Sequence, residues 1–254
     1  MNSLVQTVLN DEEQKLLQRL RSFRVPDMAN ALEEQLKDPN ADLNTFMERI
    51  TALVNAEWAA RSTKRFNKLL KAAHLRYPAA DLDETIYQPE RKLDVSTIER
   101  LSTCQWIEEG KNLIVTGASS SGKTYLINAL CVTALHQDRH VRYTRANTLM
   151  SEMEQARIKS VELDYLDKLA RLDLLVIDDF GLMDLDLDKC RDLFEVLDIR
   201  DGRRSTVVIS QFPVSSWFDM FSDNTYADAC LTRITDKHHT YRLEMNGINM
   251  REAT

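Results

Sequence analysis

The chain has 254 residues, 43% of them hydrophobic, with only six Gly and five Pro. That length and composition describe a globular, helix-rich protein with room for one large domain and a small one. A net charge of −7 excludes a global basic field, so any nucleic-acid contact must come from a local patch.

Residues 11–75 show helical periodicity and almost no strand signal. Leu16, Leu17, Leu20 and Phe23 form one apolar stripe, broken at Pro26, and Met28, Leu32 and Leu36 form a second, ended near Asp38-Pro39-Asn40. A third pattern runs from Asn44 through Phe46, Met47, Ile50, Leu53, Val54 and Trp58 to Phe66, Leu69, Leu70 and Ala73. A small helical bundle over residues 1–77 is the economical reading. Between Arg61 and Ala80 there are six basic residues and no acidic one. Spacings of three and four place Arg61, Lys64 or Arg65, Lys68 and Lys71 on one helical face. That stripe reads equally as a track for DNA phosphates or as a solvated helix face. Residues 78–100, with Pro78, Pro89 and many acids, read as a linker or brace.

From Leu101 to Thr254 strands alternate with helices, which predicts an α/β domain with a parallel five-stranded sheet. Candidate strands are Asn112–Thr116, His140–Thr144, Asp173–Asp178, Thr206–Ser210 and Tyr241–Met245, with a helical stretch from Leu149 to Leu172. In such sheets ligands gather at the carboxyl ends of strands. The first strand runs into Gly117-Ala118-Ser119-Ser120-Ser121-Gly122-Lys123-Thr124, followed by Tyr125 and a helical pattern. This is the P-loop pattern in its strand–loop–helix context. Its glycines let successive N–H groups converge on an anion, Lys123 can reach the β- and γ-phosphates, and the Thr124 hydroxyl can sit on Mg²⁺. A nucleoside triphosphate and Mg²⁺ are therefore the expected ligands.

The third strand ends in Asp178-Asp179 after four apolar residues. Beside a P-loop the first acid holds Mg²⁺ and the second can polarise the attacking water. The fourth strand ends in Ser210-Gln211, where the amide of Gln211 can hydrogen-bond the γ-phosphate or that water. Adjacent His238 and His239 point apart and make no metal site. The four cysteines lack any C-x-x-C spacing, so neither a zinc site nor a disulfide framework is suggested. Nothing resembles a signal peptide, and no apolar run approaches the ~20 residues of a membrane span. The expected location is the cytoplasm, with no membrane partner.

Taken together these residues resemble the AAA+ ATPases of the DnaA/DnaC-type initiator clade, and within it the IstB family of transposition helper ATPases. The resemblance covers most of the chain. Leu20-Arg21-Ser22-Phe23 through Leu36 is similar to the family's opening helices, and Arg203 through Trp217 to its sensor-1 region. Ala227-Asp228-Ala229-Cys230-Leu231-Thr232-Arg233-Ile234 resembles its arginine-finger segment, and Gly247-Ile248-Asn249-Met250-Arg251 its C-terminal pattern. The resemblance implies an ATPase that oligomerises on duplex DNA with ATP between subunits, delivers that DNA to a partner transposase and is reset by hydrolysis. It gives Arg233 the role of a finger acting on a neighbour's γ-phosphate and makes Arg251 a substitute for sensor 2. It also points the insert between the second and third strands, with Arg157 and Lys159, toward DNA. The chain departs from the family at Asp179, where Glu is usual, which implies slow, regulatory hydrolysis. It departs again at Thr232-Arg233-Ile234, where Asp-Arg-Leu is common, and at Asn249, where Ser is. Only 21 residues follow Arg233, too few for a full C-terminal lid. Two other readings compete: a DnaC-like helicase loader acting on single-stranded DNA, and a P-loop small-molecule kinase. The kinase is disfavoured because no arginine-bearing lid insertion follows Lys123.

Overall fold

A computed structural model describes residues 9–87 and 91–246. The chain divides into two compact units, with the division falling between Asn67 and Lys68.

The first unit is helical. Helix α1 (Asp11–Ser22) opens with a capping box, in which the Asn10 side chain accepts from the Glu13 N–H and Glu13 answers to the Asn10 N–H. Helix α2 (Pro26–Lys37) starts at Pro26, whose missing N–H costs nothing at a first helical turn. Helix α3 (Phe46–Ala73) is 28 residues long and runs across the division. Glu57 ties α3 to α2: it accepts the N–H groups of Asp27 and Met28 and pairs with Arg61. The apolar stripes are only partly covered. Leu17, Ala29 and Leu53 are buried, whereas Phe23, Phe46, Met47, Val54 and Trp58 are exposed. A periodic stripe reports a face, not what covers it.

The second unit is a five-stranded parallel sheet in the order β2-β3-β4-β1-β5, with helices on both faces. The strands are β1 (Asn112–Gly117), β2 (Val141–Arg145), β3 (Leu174–Phe180), β4 (Ser205–Ser210) and β5 (Thr240–Met245). Helices α4 (Val95–Ser102) and α5 (Gln105–Glu108) precede the sheet, and α6 (Lys123–His136) follows the P-loop. The helical stretch expected between β2 and β3 consists of two helices, α7 (Ala146–Ile158) and α8 (Glu162–Ala170). Ser160 between them adopts φ 56°, a left-handed conformation that ends α7. Helices α9 (Leu187–Asp198) and α10 (Asn224–Thr235) complete the unit.

Strand alternation divides the core. Ile114, Leu175, Ile177 and Val208 face a cluster made with Leu149 and Met153 of α7, Leu193 and Val196 of α9, and Trp217. On the other side α6 packs on β1 and β2, and α4 packs on α6. Helix α6 is buried nearly all round, which suits a helix between the sheet and α4. Its N-terminus, and with it the P-loop, is thereby fixed at the carboxyl ends of β1, β4 and β3.

Candidate functional site

The loop from Gly117 to Gly122 uses three positive φ angles: 144° at Gly117, 63° at Ser120 and 87° at Gly122. Gly117 is required by contact as well as by φ, since a Cβ there would lie 1.8 Å from the Met245 carbonyl oxygen on β5. Lys123 is buried, and its ammonium donates back to the Gly117 and Ala118 carbonyls at 2.7 and 2.6 Å. Burial lowers its pKa, while Asp178 and Asp179 pull the other way. A cation held in the mouth of an N–H-lined loop fits a polyphosphate.

Asp178 is the most heavily engaged carboxylate of the site. It is 2% exposed and accepts from the Thr124 hydroxyl at 2.8 Å, the Tyr143 hydroxyl at 2.7 Å and the Asp179 N–H at 2.7 Å. The paired Thr124 hydroxyl and Asp178 carboxylate form the hard-oxygen donor set that Mg²⁺ prefers alongside phosphate and water. Tyr143, in the middle of β2, is kept protonated: burial raises its pKa, and its bond to Asp178 raises it further.

Asp179 sits where β3 departs from β4. The pairing shifts register between Ile177 and Phe180, and Asp179 adopts φ 58°. Such a bulge re-aims one side chain, and Asp tolerates the left-handed conformation better than most residues. Asp179 pairs with Arg145 at 3.4 Å. Gln211 is set by its neighbour: the Ser210 hydroxyl donates to the Phe180 carbonyl at 2.7 Å and accepts the Phe212 N–H at 3.1 Å. The Trp217 indole N–H holds the Phe212 carbonyl at 3.1 Å.

One cavity of about 550 Å³ brings these groups together. Ser119, Ser120, Gly122, Lys123, Thr124, Tyr125, Asp178, Asp179 and Gln211 all line it. Its opposite wall comes from Arg76, Tyr77, Glu84, Thr85, Ile86 and Arg91, in the stretch read from sequence as the end of a helical domain and a linker. The Tyr77 N–H donates to Asn128 on α6 at 3.1 Å, and Asn128 in turn donates to the Thr124 carbonyl at 2.7 Å. The Tyr77 and Tyr125 rings lie 5.8 Å apart, and the Tyr125 hydroxyl bonds Glu84. Arg91 is buried, donating to the Ile86 carbonyl at 2.5 Å and the Ser121 carbonyl at 3.1 Å. Sequence reasoning missed Tyr143, Arg145, Tyr77 and Arg91. Arg145 stands at a strand end, which is a legible signal; Tyr143, in mid-strand, and the wall residues carry none.

The remaining expected residues lie elsewhere. Arg233, near the end of α10, donates to Asp198 on α9 at 2.6 and 3.1 Å and stacks on Phe194 at 4.6 Å. It does not line the cavity of its own chain. Arg157 is engaged with the buried Asp192 and with Glu162 at 3.7 Å, while Lys159 is exposed. Burial raises the Asp192 pKa, and Arg157 opposes that shift. In the basic stripe Arg61 pairs with Glu57 and donates to the Arg24 carbonyl, and Lys64 pairs with Asp27 at 3.0 Å. Arg65, Lys68 and Lys71 are exposed. Arg251 and the Gly247–Arg251 pattern fall outside the described residues. All four cysteines are unpaired and buried, and burial pushes Cys104 up to about 11 and Cys230 up to about 12. Among the described residues no group of His, Cys, Asp and Glu is arranged to hold a metal by itself, and no helix is long and apolar enough to cross a membrane.

A family model described as "IstB-like ATP binding protein" matches residues 18–254. The chain belongs to that family. The Sinorhizobium fredii insertion sequence ATP-binding protein y4uH is 34% identical over 235 residues, covering 92% of this chain and 94% of its own. The insertion sequence IS1162 ATP-binding protein of Pseudomonas fluorescens is 36% identical over 203 residues, covering 80% and 88%. Among solved structures, the DnaC helicase loader superposes with a TM-score of 0.54 at 19% identity, covering 67% of this chain and 99% of its own. AMPPCP-bound DnaA from Aquifex aeolicus gives 0.55 at 16%, covering 68% and 52%. The IstB-like chain thus carries the ATP-binding AAA+ fold of DnaA and DnaC.

Proposed function

We propose that this IstB-like protein is the ATP-dependent helper of a transposase: with ATP it assembles on duplex DNA, and hydrolysis resets it. The observation that carries the reading is the single cavity joining P-loop, Thr124–Asp178 pair, Asp179 and Gln211 in a chain whose relatives are named for insertion sequences.

The P-loop N–H groups and Lys123 would hold the β- and γ-phosphates, and Thr124 with Asp178 would hold Mg²⁺. When bound, the metal supplies charge neutralisation on the phosphate oxygens. Asp179 accepts the proton of the attacking water at its carboxylate, and Gln211 orients that water through its amide. Asp179 is one methylene shorter than Glu and shares its charge with Arg145, so the reading includes slow turnover. Arg233 would act on the ATP of a neighbouring subunit, which fits its position outside its own cavity. DNA would be met by Arg65, Lys68, Lys71 and Lys159, all of them exposed, as Arg61 and Lys64 also are. Arg61, Lys64 and Arg157 have their charges taken up within the chain.

The test images the protein with ATP and Mg²⁺ on duplex and on single-stranded DNA, with turnover measured on each. ATP-dependent assembly on duplex is expected, and charge reversal at Lys68 and Lys71 should weaken it and flatten its salt dependence. Assembly confined to single strands would replace this reading with that of a helicase loader.

A further inference from the structure

We propose that Arg76 is a phosphate-contacting residue, supplied by the segment that follows α3, which discriminates ATP from ADP and so couples the nucleotide to the basic end of that helix. The inference rests on the ATP-binding reading above and extends it to a residue outside the P-loop and outside the neighbour's finger.

Four observations converge. Arg76 lines the same cavity as Lys123, Thr124, Asp178, Asp179 and Gln211, and its side chain lies at the cavity mouth, exposed. Its backbone is not free to swing, because the next residue, Tyr77, is bonded through Asn128 to the carbonyl of Thr124. Neighbouring Ala80 is buried, and the Asp81 N–H donates to the Tyr125 hydroxyl at 3.3 Å. The guanidinium lies 5.6 Å from the Tyr77 ring centroid, which favours its cationic, planar form. Finally, Tyr143, which is itself bonded to Asp178, and the charge of Asp178 lie within electrostatic reach of the guanidinium.

Of the cavity's other cations, Lys123 is already assigned to the β- and γ-phosphates, and Arg91 is bonded to the carbonyls of Ile86 and Ser121. A guanidinium carries five N–H donors, of which one tyrosine hydroxyl accepts only a part. The rest face a cavity whose acids would be neutralised by a bound metal. A guanidinium beside Tyr143 and Asp178 would lie toward the terminal phosphate, because Thr124 and Asp178 would hold the Mg²⁺ that accompanies a triphosphate. The link to α3 is short. The helix ends at Ala73, His74 turns the chain with φ 53°, and Arg76 follows two residues later. Lys68 and Lys71 stand on the last turns of that helix.

The experiment titrates ATPγS and ADP, each with Mg²⁺, into the full chain and its Arg76→Ala and Arg76→Lys variants. Hydrogen exchange over residues 68–80 is followed in parallel. Arg76→Ala should lose tenfold or more in ATPγS affinity while its ADP affinity stays within about twofold. Arg76→Lys should fall between, keeping charge without the planar fork. ATPγS, and not ADP, should slow exchange over residues 68–80 in the wild-type chain and not in Arg76→Ala. Equal losses for both nucleotides, or none, would overturn the proposal and leave Arg76 as a support for Asp178. If Arg76→Ala does not fold, the Lys variant decides by the same criterion. A wild-type chain that binds neither nucleotide would instead sink the ATP-binding reading itself.

Discussion

Lys123 must serve two environments, and its titration separates them. Without phosphate the ammonium is buried against carbonyl oxygens, and desolvation lowers its pKa below the usual 10.5. A bound polyphosphate favours the charged form and raises it. Nucleotide affinity is therefore complete below the lowered pKa and falls as pH rises through it, by up to tenfold per unit, until the pKa of the bound form is reached. The sign for folding is opposite. Above the lowered pKa the unfolded chain binds more protons than the folded one, so this residue adds stability as pH climbs toward 10.5. ADP, which avoids the titration of a γ-phosphate, is the probe to use. Its dissociation constant should be level near neutrality and weaken before pH 10.5, in protein whose melting temperature has not yet dropped. Affinity that stays level through pH 10.5 would show that Lys123 does not supply the anion's counter-charge.

At the scale of elements, one residue holds α8, α9 and β4 in place. Arg200, just beyond α9, is 1% exposed, and its guanidinium donates to the carbonyls of Leu169, Leu172 and Ser205 and to the Thr206 hydroxyl. These acceptors terminate α8 and open β4, so the arginine serves as a cap shared between elements. Arg200→Ala would leave several buried acceptors unsatisfied and should cost about 3 kcal/mol or more, read from urea unfolding. A loss under about 1 kcal/mol would mean that water replaces the guanidinium without strain. Nothing in the pattern around Arg200 distinguishes it from a surface charge, and this marks where sequence reading stops. The strands were legible to within about two residues at most ends, because runs such as Leu174–Ile177 are apolar on both faces. The P-loop, Asp178, Asp179 and Gln211 were legible because each lies at a strand end. The break at Ser160 was not, since no Gly or Pro marks it. Nor was the cavity wall: the Tyr77–Asn128 bond joins residues 51 apart, and local periodicity carries no information about such pairs.

For the whole molecule the open issue is whether one chain completes its own site. Arg233 is tied to Asp198 and absent from the lining of its own cavity, whereas Lys123, Asp178 and Asp179 are all within it. If the arginine acts on a neighbour, the two halves of the site can be damaged separately and restored by mixing. Arg233→Ala keeps a competent cavity and lacks the finger; Lys123→Ala keeps the finger and lacks the cavity. Each alone should turn over ATP at least about 10³-fold more slowly than wild type, the scale on which an arginine finger acts. Mixed in equal amounts on duplex DNA, they should recover a measurable fraction of wild-type turnover, because some interfaces pair an intact cavity with an intact arginine. The recovery should also rise with protein concentration, as a shared site requires. A mixture no faster than its two components would confine Arg233 to its bond with Asp198, and a fully active Arg233→Ala alone would remove it from the reaction altogether.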